Sequence, residues 1–96
     1  GIVDNIRRII PNKLCASINL KKINTLKIFS WLRNNNISDK EMLKTFNCGV
    51  GFCLIIDARN LKKVKSYFAK EYKPYVIGEI ISGPNKVKLD EKINWS

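Results

Sequence analysis

The middle of this sequence reads Met42-Leu43-Lys44-Thr45-Phe46-Asn47-Cys48-Gly49-Val50-Gly51-Phe52. Its two glycines lie between a polar helical pattern and a continuous apolar run. Glycine permits positive φ and close backbone approach, at a cost in conformational entropy. Gly51 falls inside the predicted strand, where a glycine weakens packing. Two interpretations of Gly51 are open: a bulge or tight turn into the strand, or a backbone surface that a ligand approaches.

Length and composition limit the class of protein. A chain of 96 residues forms one small domain. It has no run of about 18 apolar residues and no basic-then-apolar opening segment, so neither a membrane span nor a signal peptide is predicted. The three cysteines lack a C-x-x-C spacing, which argues against a zinc site or a disulfide framework. Histidine is absent and the eight carboxylates show no metal-loop spacing, so no metal site is predicted.

Periodicity predicts alternating elements in the first half of the chain. Apolar residues at positions 2, 6, 9 and 10 fit a short helix that Pro11 ends. Residues 13–20 alternate, as in a half-buried strand. Residues 23–32 predict an amphipathic helix of about three turns, with Trp31 packed in the core. Ser38 and Glu41 have the spacing of a capping box, which predicts a helix of about two turns from there.

The second half predicts a β-α-β unit. The apolar run over residues 50–56 is typical of a central strand covered on both faces. A helix over residues 60–70 and a strand over residues 75–81 complete the unit, with a right-handed crossover. A turn over residues 82–85 leads to an edge strand over 86–89 and a loose tail. The expected fold class is α/β (α+β), with a mixed β-sheet of about four strands packed with helices.

Three motifs resemble one enzyme family, in its order and spacing. The central run Glu41-Met42-x-x-Thr45-Phe46-Asn47-Cys48-Gly49-Val50-Gly51 resembles a segment in the C-terminal domain of aminoimidazole ribonucleotide synthetase, also called phosphoribosylformylglycinamidine cyclo-ligase. The opening Gly1-Ile2-x-x-Asn5-Ile6-x-Arg8-Ile9-Ile10-Pro11 resembles the family's glycine-rich element. The run Ile77-Gly78-Glu79-Ile80 is similar to its late I-G-x-I strand.

The resemblance implies that residues 1–96 form a single domain, the C-terminal part of the synthetase C-terminal domain. It implies a cytoplasmic enzyme of purine biosynthesis that closes the imidazole ring of formylglycinamidine ribonucleotide to give aminoimidazole ribonucleotide. The full enzyme would use ATP and Mg²⁺, with no cofactor held tightly by this fragment. The family's N-terminal nucleotide-binding domain has no counterpart here, so the isolated fragment is predicted to be inactive. The full enzyme is expected to be a homodimer with a small nucleotide substrate and no membrane or specific nucleic-acid partner.

The matched motifs also indicate candidate substrate- or phosphate-binding residues: Asn5, Arg8, Asn47, Gly49 and Gly51. The Asn47 amide and the backbone amides near Gly49 and Gly51 would face a phosphate or a ribose, and an amide near Gly1 at the helix start would bind an anion. Alternatives stay open for two of these side chains, since asparagine often stabilises turns and Arg8 fits a surface charge at a helix end. No catalytic residue is predicted.

The net charge of +10 leaves an alternative function. A small basic α/β module that binds nucleic acid or another polyanion through its lysine-rich helix would carry such a charge. Stacked aromatic side chains on a sheet face would favour this hypothesis. The lysines are scattered rather than clustered, which favours the other explanation of the net charge, a bias in amino-acid composition that has no functional role. A regulatory or assembly domain without a ligand is the third possibility.

Overall fold

A mixed sheet organises the chain in the computed structural model, which describes residues 1–84 and 86–96. The strands are β1 (Leu14–Asn19), β2 (Gly78–Ser82) and β3 (Val87–Asp90). The α-helices are α1 (Ile2–Ile9), α2 (Lys27–Asn34), α3 (Asp39–Thr45) and α4 (Leu61–Ser66). Short 3₁₀ helices cover Leu20–Lys22, Ala58–Asn60 and Lys70–Tyr72. The predicted α/β class is confirmed, with three strands in the described residues rather than four.

Strand β1 is central in the order β2-β1-β3. It runs antiparallel to β2, with Cys15 opposite Ile81, and parallel to β3, with Ser17 opposite Lys88. Cys15 and its neighbour Ala16 are both buried although their side chains point to opposite faces. The central strand is therefore covered on both sides, and β3 is an edge strand as predicted.

The core lies between the sheet and helices α1 and α3. It includes Ile2, Ile6 and Ile10 from the first helical segment and Met42 from α3. The backbone is extended at Ile10, with φ −82° and ψ 122°, so α1 ends before Pro11 as predicted. The tail also contributes, because Ile93 is buried and Trp95 packs against the core. The predicted loose tail is therefore wrong for these residues.

The start of α3 confirms one half of the predicted capping box. The Ser38 hydroxyl accepts a hydrogen bond from the Glu41 backbone amide at 3.2 Å. The Glu41 carboxylate accepts instead from the Thr45 hydroxyl at 2.7 Å, one turn along the helix. The cap fixes the first turn of α3, and α3 in turn places residues 46–50 against α1.

Helix α2 is shorter than predicted and presents its tryptophan to solvent. The backbone is extended at Ile23, after the 3₁₀ helix, and again at Leu26. The α-helix therefore begins only at Lys27. Phe29 packs on Phe46 with ring centroids 6.3 Å apart, which fixes the inward face of α2. Trp31 lies off that face and is 61% exposed, so its predicted core position is wrong for this chain.

The predicted β-α-β unit does not form in the described residues. Residues 51–56 have no regular secondary structure, α4 covers only Leu61–Ser66, and β2 begins at Gly78. The physical reason is pairing, because β2 and β3 occupy both edges of β1. The apolar run has no strand beside it, and most of it stays exposed, whereas Val50 and Cys53 are half-buried against the core. The predicted turn over residues 82–85 includes Asn85, which lies outside the described residues.

Candidate functional site

A tight turn follows α3 at residues 47–50. Cys48 and Gly49 both have positive φ, of 54° and 99°, as in a type I′ turn. The Val50 amide donates to the Asn47 carbonyl at 2.9 Å, and the Gly49 amide donates to the Asn47 side-chain oxygen at 2.9 Å. Asn47 thus stabilises the turn through its Oδ1, and the Gly49 N–H has a partner inside it.

Gly49 is required by the backbone. A Cβ added there would lie 3.0 Å from the Asn24 carbonyl oxygen and 3.2 Å from the Thr25 Cα. Both the positive φ and this close approach favour glycine. Gly49 therefore shapes the site without needing a ligand to explain it.

Gly51 is different from Gly49. Its φ lies outside the left-handed region, and an added Cβ would meet nothing within 4 Å. It belongs to no strand, so no bulge requires it. Neither strain nor packing among the described residues explains a glycine at this position.

The open space at Gly51 belongs to a pocket of about 160 Å³. Helix α1 forms one side and the segment after the turn forms the other. The lining residues are Ile2, Asn5, Ile6, Asn47, Val50, Gly51, Phe52 and Cys53. Three of the five predicted site residues therefore line one pocket: Asn5, Asn47 and Gly51.

The other two predicted residues lie beside this pocket. Arg8 Nη1 donates to the Asn5 side-chain oxygen at 3.5 Å, so its guanidinium is next to a lining residue. Gly49 does not line the pocket but holds the turn that positions Asn47 and Gly51. Helical geometry explains the α1 side, because residues three and four apart share a face and Ile2, Asn5 and Ile6 do so.

Cys53 and Phe52 also line the pocket, although they were not predicted as site residues. Cys53 is half-buried, and burial raises the pKa of its thiol. Its position two residues after Gly51 was the available signal, since alternate residues of an extended segment share a side. Phe52 is 85% exposed and forms the rim.

Cys48 is close to the pocket but cannot act as a nucleophile. It has no exposed surface, and its Sγ donates to the Met42 carbonyl at 3.5 Å. Burial raises the pKa of this thiol, and the Asp39 carboxylate raises it further. The thiol is therefore protonated at neutral pH, and thiolates rather than thiols attack.

The pocket offers binding groups rather than proton-transfer groups. Asn5 and Asn47 provide amides and Arg8 provides a cation, whereas no carboxylate lines the pocket. No group of three His, Cys, Asp or Glu side chains suited to a metal occurs in the described residues. Helices long and apolar enough to cross a membrane are likewise not found among residues 1–84 and 86–96. The arrangement suits an anionic or polar ligand.

A family comparison places this chain. The family described as "AIR synthase related protein, C-terminal domain" matches residues 1–90. The chain belongs to this family. The resemblance carried by the three sequence motifs is thereby confirmed, and the pocket lies between two of those motifs.

Two curated relatives match most of this chain. The "Trifunctional purine biosynthetic protein adenosine-3" of Chironomus tentans is 43% identical over 83 residues, which cover 84% of this chain and 6% of the relative. The "Phosphoribosylformylglycinamidine cyclo-ligase" of Carboxydothermus hydrogenoformans is 39% identical over 93 residues, 95% of this chain and 27% of the relative. The chain thus spans about a quarter or less of these relatives. No solved structure matches it significantly.

Titration of the 96-residue chain with pyrophosphate should locate any anion-binding site. We expect NMR shifts at the backbone amides of Gly51 and Phe52 and at the side-chain amide of Asn5. Arg8→Ala should reduce the shifts, because hydrogen bonds from a guanidinium to a phosphate oxygen are stronger than hydrogen bonds between neutral groups. Arg7→Ala is the matched control, since Arg7 lies 3.3 Å from the Asp4 carboxylate. Shifts confined to residues 62–65 would contradict the assignment.

Proposed function

We propose that this chain works as part of a phosphoribosylformylglycinamidine cyclo-ligase. Residues 1–96 would form a single domain, the C-terminal part of that enzyme's C-terminal domain. The reaction would close the imidazole ring of formylglycinamidine ribonucleotide and give aminoimidazole ribonucleotide. The family match over residues 1–90 and the printed names of the two relatives support this proposal. The structural observation that carries it is Gly51, which no local constraint explains and which opens onto the pocket.

In this proposal the pocket is one wall of the substrate cleft. Arg8 and the amides of Asn5 and Asn47 would hold a phosphate or ribose group of the nucleotide substrate. Gly49 would keep Asn47 in position through the bond between its amide and Oδ1. Gly51 would leave room for the substrate beside the backbone. The apolar side chains of Ile2, Ile6 and Phe52 would exclude water.

ATP and Mg²⁺ would come with the rest of the enzyme. ATP supplies the phosphoryl group that activates the formyl oxygen of the substrate, and such transfers require metal ions and several donors. The described residues offer no carboxylate cluster for Mg²⁺. They fit the role of binding a substrate phosphate through Arg8, while the nucleotide site would lie in an N-terminal domain. We propose a cytoplasmic homodimer for the full enzyme on the basis of the family resemblance alone.

A nucleic-acid module receives no support from the structure. Strands β1, β2 and β3 carry no aromatic side chain, so the described sheet has no stacking platform. The exposed tyrosines Tyr67 and Tyr72 lie outside these strands.

The isolated 96-residue chain is expected to be inactive, whereas a chimera should be active. In the chimera, this chain replaces the 93-residue matched region of the Carboxydothermus hydrogenoformans cyclo-ligase. With ATP, Mg²⁺ and formylglycinamidine ribonucleotide, the chain alone should release no ADP above background, because it offers no proton-transfer group or metal site at the pocket. The chimera should turn over within about tenfold of a typical 10 per second.

The unmodified relative is the positive control, and the relative without its matched region is the negative control. Turnover by the isolated chain would contradict the expected inactivity. A chimera that folds, by circular dichroism and thermal melting, but does not turn over would contradict the proposed function.

A further inference from the structure

The two asparagines of the pocket between α1 and the turn at residues 47–50 are oriented in the same way. Asn5 lines the pocket from the helix and Asn47 from the turn. A side-chain amide carries an oxygen that accepts hydrogen bonds and an NH₂ group that donates them, so its orientation decides which of the two a ligand meets. In both asparagines, a neighbouring group of the chain already bonds to the oxygen.

The turn sets the orientation of Asn47. Its Oδ1 accepts from the Gly49 backbone amide at 2.9 Å, the bond of an Asx turn. Reversing the side-chain amide would bring the Nδ2 donor against the Gly49 N–H, and two donors cannot bond to each other. The Nδ2 group has no hydrogen-bond partner within residues 1–84 and 86–96. This donor therefore remains available to a ligand.

Arg8 sets the orientation of Asn5 from one turn further along α1. The Arg8 Nη1 donates to the Asn5 Oδ1 at 3.5 Å, which leaves the Asn5 Nδ2 without a partner in the described part of the chain. A guanidinium has several N–H donors, so Arg8 keeps others for a ligand. The Asp4 carboxylate lies 3.3 Å from Arg7 Nη1 rather than pairing with Arg8. The Arg8 cation is thus available beside the pocket.

The amide and guanidinium side chains at this pocket therefore present donors to a ligand. A phosphate group brings strong acceptor oxygens, and each of them can take one of these donors. A ribose hydroxyl both donates and accepts, and its proton would find no side-chain oxygen turned towards it. A polar hydrogen left without a partner costs binding free energy. No carboxylate lines the pocket, so nothing in its lining repels a phosphate.

We propose that Asn47 determines specificity at this pocket. With its oxygen held by the Gly49 N–H, it presents only its NH₂ group, and the pocket selects the phosphate group of the substrate over the ribose. Asn5 and Arg8 supply the other donors. The proposal rests on the proposed function, which leaves open whether the pocket holds the phosphate or the ribose.

Parallel NMR titrations of the 96-residue chain with pyrophosphate and with D-ribose test this selection. Pyrophosphate should shift the side-chain NH₂ resonances of Asn5 and Asn47, whereas D-ribose at the same concentration should shift neither. Asn47→Asp should weaken pyrophosphate binding by roughly tenfold or more, because it replaces a donor to a charged group by a negatively charged acceptor. Aspartate can still accept from the Gly49 N–H, since it forms the same turn as asparagine.

Asn94→Asp is the matched control, because it adds the same charge in the same kind of turn. The Asn94 Oδ1 accepts from the Ser96 backbone amide at 3.1 Å, and Asn94 does not line the pocket. This variant should bind pyrophosphate as the unmodified chain does. Asn47→Ser separates the lost donor from the added charge, since serine is neutral, lacks the NH₂ group and can still accept from the Gly49 N–H. Its affinity should lie between those of the unmodified chain and Asn47→Asp.

Three results would overturn the proposal: asparagine shifts with D-ribose as large as those with pyrophosphate, no such shifts with pyrophosphate, or equal losses of affinity in Asn47→Asp and Asn94→Asp. If Asn47→Asp does not fold, as judged by thermal melting, Asn47→Ser and the comparison of the two ligands decide. The titrations do not depend on turnover. Selective pyrophosphate binding by a chain whose folded chimera is inactive would therefore support the specificity of Asn47 and contradict the proposed function, and an active chimera with an unselective pocket would do the reverse.

Discussion

Gly49→Ala is expected to reduce the free energy of unfolding of the isolated chain by about 3 kcal/mol. A non-glycine residue at a strained positive φ costs roughly 1–3 kcal/mol, and Gly49 has φ of 99°. The added Cβ would also lie 3.0 Å from the Asn24 carbonyl oxygen, so the effect should reach the upper end of that range. In a domain of this size, the melting temperature should fall by on the order of 15 °C.

Gly51→Ala is the matched control for this measurement. Its Cβ would meet nothing within 4 Å and its φ lies outside the left-handed region. Replacing such a glycine reduces the entropy of the unfolded chain and can stabilise by about 0.4–1 kcal/mol. Denaturant titrations of both variants at the same pH give the comparison. Equal losses of unfolding free energy in the two variants would contradict the positive φ and the close approach that set Gly49 apart from Gly51.

Gly51→Val is expected to have the largest effect on activity. In the chimera, turnover should fall at least tenfold, which corresponds to about 1.4 kcal/mol in the barrier. The reason is space, because a branched side chain would fill the opening that Gly51 leaves beside Asn5 and Asn47. Valine is favourable in extended backbone, so the melting temperature should change little.

Gly51→Ala in the same chimera separates size from the loss of glycine. Alanine adds one methyl group and should reduce turnover less than valine does. Steady-state kinetics and thermal melting on the same preparation give both quantities. A stable Gly51→Val chimera with normal turnover would contradict the binding role of this glycine. Activity lost only in proportion to folded protein would assign Gly51 a structural role.

Elements with local signals were predictable from the sequence. The proline after α1, the serine cap of α3 and the alternation in β1 each involve neighbouring residues, and all three elements form where predicted. These signals do not depend on distant parts of the chain. The edge strand β3 was also predictable, because residues 86–89 alternate in the same way as β1.

Elements that depend on a partner were not predictable in the same way. Residues 50–56 have the composition of a central strand, yet a strand requires a neighbour and the described chain offers none at that position. Trp31 has helical spacing with core residues but lies off the face set by Phe29 and Phe46. Periodicity identifies which residues seek burial, and it does not say what will cover them.

The candidate site was predictable in composition but not in its division of roles. The motifs indicated Asn5, Asn47 and Gly51, which do line one pocket. Sequence spacing alone could not distinguish the two glycines of the central motif. That distinction depends on the backbone angle at Gly49 and on the empty space at Gly51, which only coordinates provide.

The uncovered run over residues 52–56 also affects the tendency of the isolated chain to aggregate. It has five consecutive apolar residues with no charge and no proline, which is the composition of an aggregation-prone window. Asp57 and Arg59 follow it at once and pair at 2.7 Å, so charged residues border the run on its C-terminal side. A chain whose run over residues 52–56 stays uncovered is therefore expected to be prone to aggregation.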